Sequence, residues 1–158
     1  MKIVVAIKQV PVRDSQLLVG SDGHWIQESG LSFEINEPDA YALEEALQLK
    51  EKHGGEVIAL CAGPARASQT IREALAKGAD RAIHVVAKDD EIDSLAVVKV
   101  LQAIIAAEKP DLVVMGKQAV DGDANQVGQM LAGKLGWPQA TFAASIETTD
   151  GGPGGSKA

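Results

Sequence analysis

The chain has 158 residues, enough for one domain with a sizeable core, and scarce aromatic side chains make that core aliphatic. A net charge of −7 without a basic stripe argues against nucleic acid or an anionic membrane surface as the main partner. Cys61 is the one cysteine, which excludes an internal disulfide and reads as a small buried side chain at a strand end.

In chain order, the first run, "KIVVAI" at residues 2–7, is β-branched and continuously apolar, the pattern of a strand buried on both faces. Lys8 interrupts it too soon for a signal peptide, and no apolar run approaches the ~20 residues of a membrane helix, so a soluble cytoplasmic protein is expected. Residues 10–30 carry Gly20, Gly23 and Gly30 and read as a loop or a small hairpin around "SDGHW". A helix follows, with Asn36 as N-cap, Pro38 in the first turn and the acids Glu37 and Asp39 at its positive end. Its inward stripe is Ala42, Leu43, Ala46 and Leu47, and Gly54 and Gly55 end it.

"EVIALCAG" at residues 56–63 is a second buried strand. The next helix, within residues 64–80, points Ile71, Ala74 and Leu75 inward and stops at Gly78. "RAIHVV" at residues 81–86 is a third strand. Asp93 or Ser94 caps a third helix with the stripe Val97, Val100, Leu101, Ile104 and Ile105, closed by Pro110. "DLVVMG" at residues 111–116 is a fourth strand. A fourth helix runs from about Asn125 to Leu135, with Val127, Met130, Leu131 and Leu135 inward, and "ATFAASI" at residues 140–146 is a fifth strand. The Gly-rich residues 148–158 read as a flexible tail outside a domain of residues 1–147.

Strands alternating with helices call for a parallel sheet covered on both faces, a three-layer Rossmann-like α/β architecture. If the strand order is 3-2-1-4-5, ligands belong in the crevice between the first and fourth strands. The polar stretch "MGKQAVDGDANQVGQM" at residues 115–130 emerges there. It has three readings. As a calcium loop it offers Asp121, Asp123 and Asn125 but lacks the Gly at position six and the Glu at position twelve, where Gln126 and Ala132 stand, so that reading fails. As an anion site, it feeds backbone N–H groups at a helix N-terminus, with Asn125 and Gln126 as neutral donors and Gly128 permitting close approach. In the third reading Asp123 is simply an N-cap on an exposed turn. Spacing leaves the last two open. His24, His53 and His84 show no ligand spacing, His84 reads as a packed or edge histidine, and Trp137 as a packing residue.

The residues "KQAVDGDANQVGQMLAGKLGWPQATFA" at 117–143 resemble the nucleotide-binding segment of the electron transfer flavoprotein beta subunit family. "VVAIKQVP", "INEPDAYALEEALQLKEK" and "IREALAKGADRAIHV" agree, and together they cover nearly all of residues 1–146. The resemblance implies an adenine nucleotide alpha hydrolase-like fold of order 3-2-1-4-5 and a non-catalytic electron carrier. It implies a structural AMP in the common form, with FAD replacing AMP in electron-bifurcating relatives. It also implies a heterodimer whose alpha subunit carries most of the redox FAD, flavin dehydrogenases such as acyl-CoA dehydrogenases as donors, and a membrane quinone oxidoreductase as acceptor. By the same resemblance Ala6 lines the adenine pocket, and Asn36, Glu37, Pro38 and Asp39 contact the nucleoside. Ala62 and Gly63 close the pocket. Asp121, Gly122, Asp123 and Ala124 with Asn125, Gln126, Val127, Gly128, Gln129 and Met130 wrap the phosphate. Family chains continue well past this one, so the chain reads as a fragment with a capacity for self-association. The alternative is a stand-alone ATP- or AMP-binding protein of universal-stress-protein type, whose Gly-rich phosphate loop is not evident.

Overall fold

The computed structural model describes residues 1–148; the rest of the expected Gly-rich tail lies outside the described residues. The chain runs β1 (Lys2–Ala6), β2 (Gln9–Pro11), β3 (Phe33–Ile35), α1 (Glu37–His53), β4 (Glu56–Gly63), a 3₁₀ turn (Ala65–Ala67), α2 (Ser68–Lys77), β5 (Arg81–Val86), α3 (Ser94–Glu108), β6 (Leu112–Met115) and α4 (Val127–Leu135). Four strands form a parallel sheet in the order β5-β4-β1-β6, which is the expected order without its fifth member. Ala6, at the end of β1, lies opposite Leu60 on one side and Met115 on the other.

Alternation along each strand sends side chains to two faces. Ile3 and Val5, with Val57, Ala59 and Cys61, meet Leu43 and Leu47 of α1 and Ile71 and Ala74 of α2. Val4 and Ala6, with Ile58 and Leu60, meet Val98, Leu101 and Ile105 of α3 and Leu131 of α4. The sheet is thus covered on both faces, and Cys61 is fully buried as expected.

Some expectations need correction. Residues 140–146 form no strand: Phe142 stands at φ 57°, in the left-handed region that a strand excludes, and its ring receives Lys117 Nζ at 4.5 Å. The outer side of β6 therefore faces a groove of about 1050 Å³ between α1, α4 and residues 137–148. Trp137 lines that groove and keeps 37% of its surface exposed. Leu75 is exposed on α2 where an inward position was expected. In α3 the fully buried valine is Val98, because a helix apolar around most of its circumference does not declare its inner face. β2 and β3, an antiparallel pair just beyond β1, gave no separate signal because each has only three residues. The hairpin around "SDGHW" is present, closed by the Val19–Ile26 bridge.

Candidate functional site at the carboxyl ends of β1 and β6

The chain leaves β1 for α1 on one face of the sheet and leaves β6 for α4 on the other, so the two strand ends part and a crevice opens between them. Three side chains span it. Asp39, in the first turn of α1, accepts from Lys8 N at 2.8 Å and from Gly116 N at 3.1 Å, which joins the ends of β1 and β6. Only 7% of Asp39 is exposed. That burial pushes its carboxyl up to about 6, against the lowering effect of the two N–H donors, Asn36 and the Lys8 charge. Gly116 permits the approach: a Cβ there would lie 2.3 Å from Asp39 Oδ1 and 2.7 Å from Asp39 N.

Asn36 occupies the N-cap position but does not cap its own helix with its side chain. The amide turns across the crevice instead, donating from Nδ2 to Gln118 O at 2.9 Å and accepting at Oδ1 from Val120 N at 3.0 Å. The backbone O of Asn36 takes the N–H groups of Asp39 and Ala40, so helix initiation does not need the amide. Lys8 provides the third link, its Nζ meeting the Asp121 oxygens at 2.7 and 2.9 Å.

The polar turn has a defined shape. Gln118 Nε2 donates to Asp123 Oδ1 at 2.6 Å, and Asp123 N bonds Ala119 O at 2.9 Å. Asp123 and Asn125 stand at φ 48° and 45°, left-handed values that Asp and Asn tolerate better than other side chains. These two residues delay the helix, so α4 begins at Val127 and not at about Asn125, and Asp123 is not its cap. Gln126 stands at the N-cap position and makes no side-chain capping bond, which leaves the first N–H groups of α4 without an intrahelical partner. The acids do not converge as a metal loop would require: Lys8 holds Asp121 and Gln118 holds Asp123.

The crevice thus gathers Asn36, Pro38, Asp39, the turn Asp121–Gln126 and the start of α4, with Ala6 beneath them on the α4 face of the sheet. Ala124 and Gly122 are exposed on the turn, and Gly128 lies with its Cβ position 3.9 Å from Met115 Sδ. Gln129 donates to Asn125 Oδ1 at 3.5 Å, whereas Val127 and Met130 pack into the core beneath α4. Glu37 points outward, accepting from Tyr41 Oη at 3.2 Å. Ala62 and Gly63 end β4, on the side of β1 away from β6. Alternation puts Ala62 on the α4 face, while a Cβ on Gly63 would face Ala67 and Cys61. Lys8, Gly116 and Gln118 escaped the sequence reading; Lys8 and Gly116 were visible only as the residues that end apolar runs. The buried Cys61 thiol is pushed up to about 12 by burial first, then by Asp39 and Asp89, which keeps it neutral.

Residues 24–153 match the electron transfer flavoprotein domain. The chain belongs to the electron transfer flavoprotein family. Three of its relatives are beta subunits. It is 46% identical to the electron transfer flavoprotein subunit beta of Bradyrhizobium diazoefficiens over 93% of this chain and 59% of that one. The Dictyostelium discoideum subunit is 42% identical over 95% of this chain and 60% of its own length. The Homo sapiens subunit is 44% identical over 92% and 59%. The chain therefore spans about three-fifths of the length of these relatives. The electron transfer flavoprotein match takes in the first turn of α1, the polar turn and all of α4. Among the described residues no helix is long and apolar enough to cross a membrane.

Proposed function

We propose that the chain is the nucleotide-binding part of an electron transfer flavoprotein beta subunit, holding one AMP in a structural role at the crevice between β1 and β6. On this reading it pairs with an FAD-bearing alpha subunit. The pair carries electrons from flavin dehydrogenases, acyl-CoA dehydrogenases among them, to a quinone oxidoreductase. The chain itself is a cytoplasmic carrier component with no catalytic step of its own.

The observation that supports this reading is the start of α4, which no Gln126 side-chain bond caps and which a held polar turn delivers to the switch point of the sheet. When bound, AMP supplies an anionic phosphate and an aromatic base. The N–H groups of Val127 and Gly128, with Asn125 and Gln126 beside them, are the donors for the phosphate. Such a site needs no cluster of basic side chains, which suits an acidic protein. Ala6 and Ala62 are small side chains on the α4 face of the sheet, which suits the approach of a flat ring. FAD at the same site is the form expected of a bifurcating relative.

The test is to denature the purified chain and identify the released small molecules by mass spectrometry. AMP at close to one per chain supports the reading, and FAD places the chain with the bifurcating relatives. Neither molecule, together with no rise in melting temperature on adding AMP, overturns it. Replacing Asn125 and Gln126 together with Ala should weaken AMP binding by about 1–3 kcal/mol, the cost of lost hydrogen bonds to a charged group. Unchanged affinity by calorimetry would remove the phosphate from this turn.

A further inference from the structure

Every polar atom of Asn36 already has a partner within the chain. Its backbone N donates to Lys8 O at 2.9 Å and its backbone O accepts from Asp39 and Ala40. The residue is 0% exposed, and both ends of its amide are bonded to the polar turn. We propose that Asn36 is a positioning residue: its amide sets the shape of residues 117–126 before a nucleotide arrives, and so aims the N–H groups that open α4. The inference deepens the AMP reading and rests on it, but its test fails separately.

The other ties on the turn are weaker anchors. The Lys8–Asp121 pair is 44% and 30% exposed, so water and salt screen it. The Gln118–Asp123 bond lies within the turn and attaches it to nothing else. Asn36 instead fastens the turn to the buried first turn of α1, where hydrogen bonds are stronger and costly to leave unmade. The chemistry also selects the residue. Gln118 presents a carbonyl and Val120 presents an N–H, so the side chain between them must donate at one end and accept at the other. An amide does this; a carboxylate accepts only. Held in this way, the turn can keep Asp123 and Asn125 in left-handed conformations that it would otherwise relax.

Asn36→Asp makes the test specific. At about pH 8 a carboxylate would face the Gln118 carbonyl, and AMP affinity should fall at least about tenfold against the unmodified chain. At about pH 5.5 the protonated carboxyl donates to that carbonyl and accepts from Val120, so the deficit should shrink to about threefold or less. The charged groups around position 36 are Glu37 and Asp39 on α1, Lys8 beyond β1, and Lys117, Asp121 and Asp123 on the turn. Asp39 titrates at about 6 and is itself influenced by Asn36, so the same ratio is also measured in an Asp39→Asn background, where position 36 is the member of the pair that titrates. Asn36→Ala should bind weakly at both pH values. A deficit that does not change with pH, or no deficit, overturns the inference. Amide exchange on the AMP-free chain gives a second readout that needs no variant to fold. Val120 is 48% exposed, yet its N–H should exchange at least about tenfold more slowly than that of a free turn residue. Fast exchange at Val120 overturns the inference, and an unmodified chain that binds no AMP overturns the reading beneath it while leaving Val120 to decide the role of Asn36.

Discussion

Asp39 is ionised at neutral pH in a place that disfavours its charge. Its two N–H donors and the nearby Lys8 only partly offset burial, so the folded chain binds its proton at about 6 against 3.8 for an ordinary aspartate. A carboxyl raised on folding takes up more protons in the folded than in the unfolded chain between those values, so its contribution to stability falls as pH rises through that window. At about 1.4 kcal/mol per pH unit the change is roughly 3 kcal/mol. The stability of the unmodified chain minus that of Asp39→Asn, measured by urea unfolding, should therefore decline by about 2 kcal/mol between about pH 4 and pH 6.5. A flat difference would mean that the carboxyl is not raised.

At the scale of elements, the segment between β1 and α1 must be held down, because β2 and β3 are short and residues 12–32 form little regular structure. Arg66, in the 3₁₀ turn after β4, does this. Its guanidinium lies 3.9 Å from the Phe33 ring centroid and bonds Glu28 at 3.0 Å, Asp89 at 2.8 Å and Gln9 at 3.1 Å. The planar fork reaches three separate segments of the chain at once, which a lysine would not. Glu28 is held below the usual carboxylate range, by its hydrogen bond to Arg66 above all. Arg66→Ala should raise amide exchange across residues 12–32 while β1 and β4 stay protected. Equal loosening of the sheet, or none anywhere, would show that the segment is secured by other contacts.

Across the whole molecule, the end of the sheet opposite the crevice is closed by charge. Arg81 on β5 bonds Glu56 on β4 at 2.6 Å and also Glu108 at the end of α3, which meets Lys2 of β1 at 3.1 Å. Glu108 is held at about 2, by Arg81 first and then Lys2. A carboxyl lowered on folding adds stability above its unfolded value, here 4.5, and loses it as pH falls toward 2. This is the opposite sign to Asp39. The network is partly exposed, so its contribution is small and salt-dependent. Glu108→Gln should flatten the acid limb of the melting temperature between about pH 4.5 and pH 2, and added salt should shrink the difference. An unchanged acid limb would mean that other carboxylates govern it.

The sequence by itself determined the alternation of strands and helices, the parallel sheet, the aliphatic core and the glycine stops, because local periodicity and backbone freedom decide these. It also located the crevice and its polar turn, since a polar segment between an apolar run and an amphipathic one can be read locally. Only the tertiary structure decided what the polar side chains do there. Asn36 looks like a cap until the turn 82 residues away in sequence supplies partners for its amide, and Asp39 looks like a dipole partner until the ends of β1 and β6 supply two N–H groups. The fifth strand failed for the same reason: a strand is defined by the neighbour it pairs with, and residues 140–146 do not pair with β6. Hydrogen bonds between distant segments leave no periodic trace in a sequence, and at this site they set the geometry.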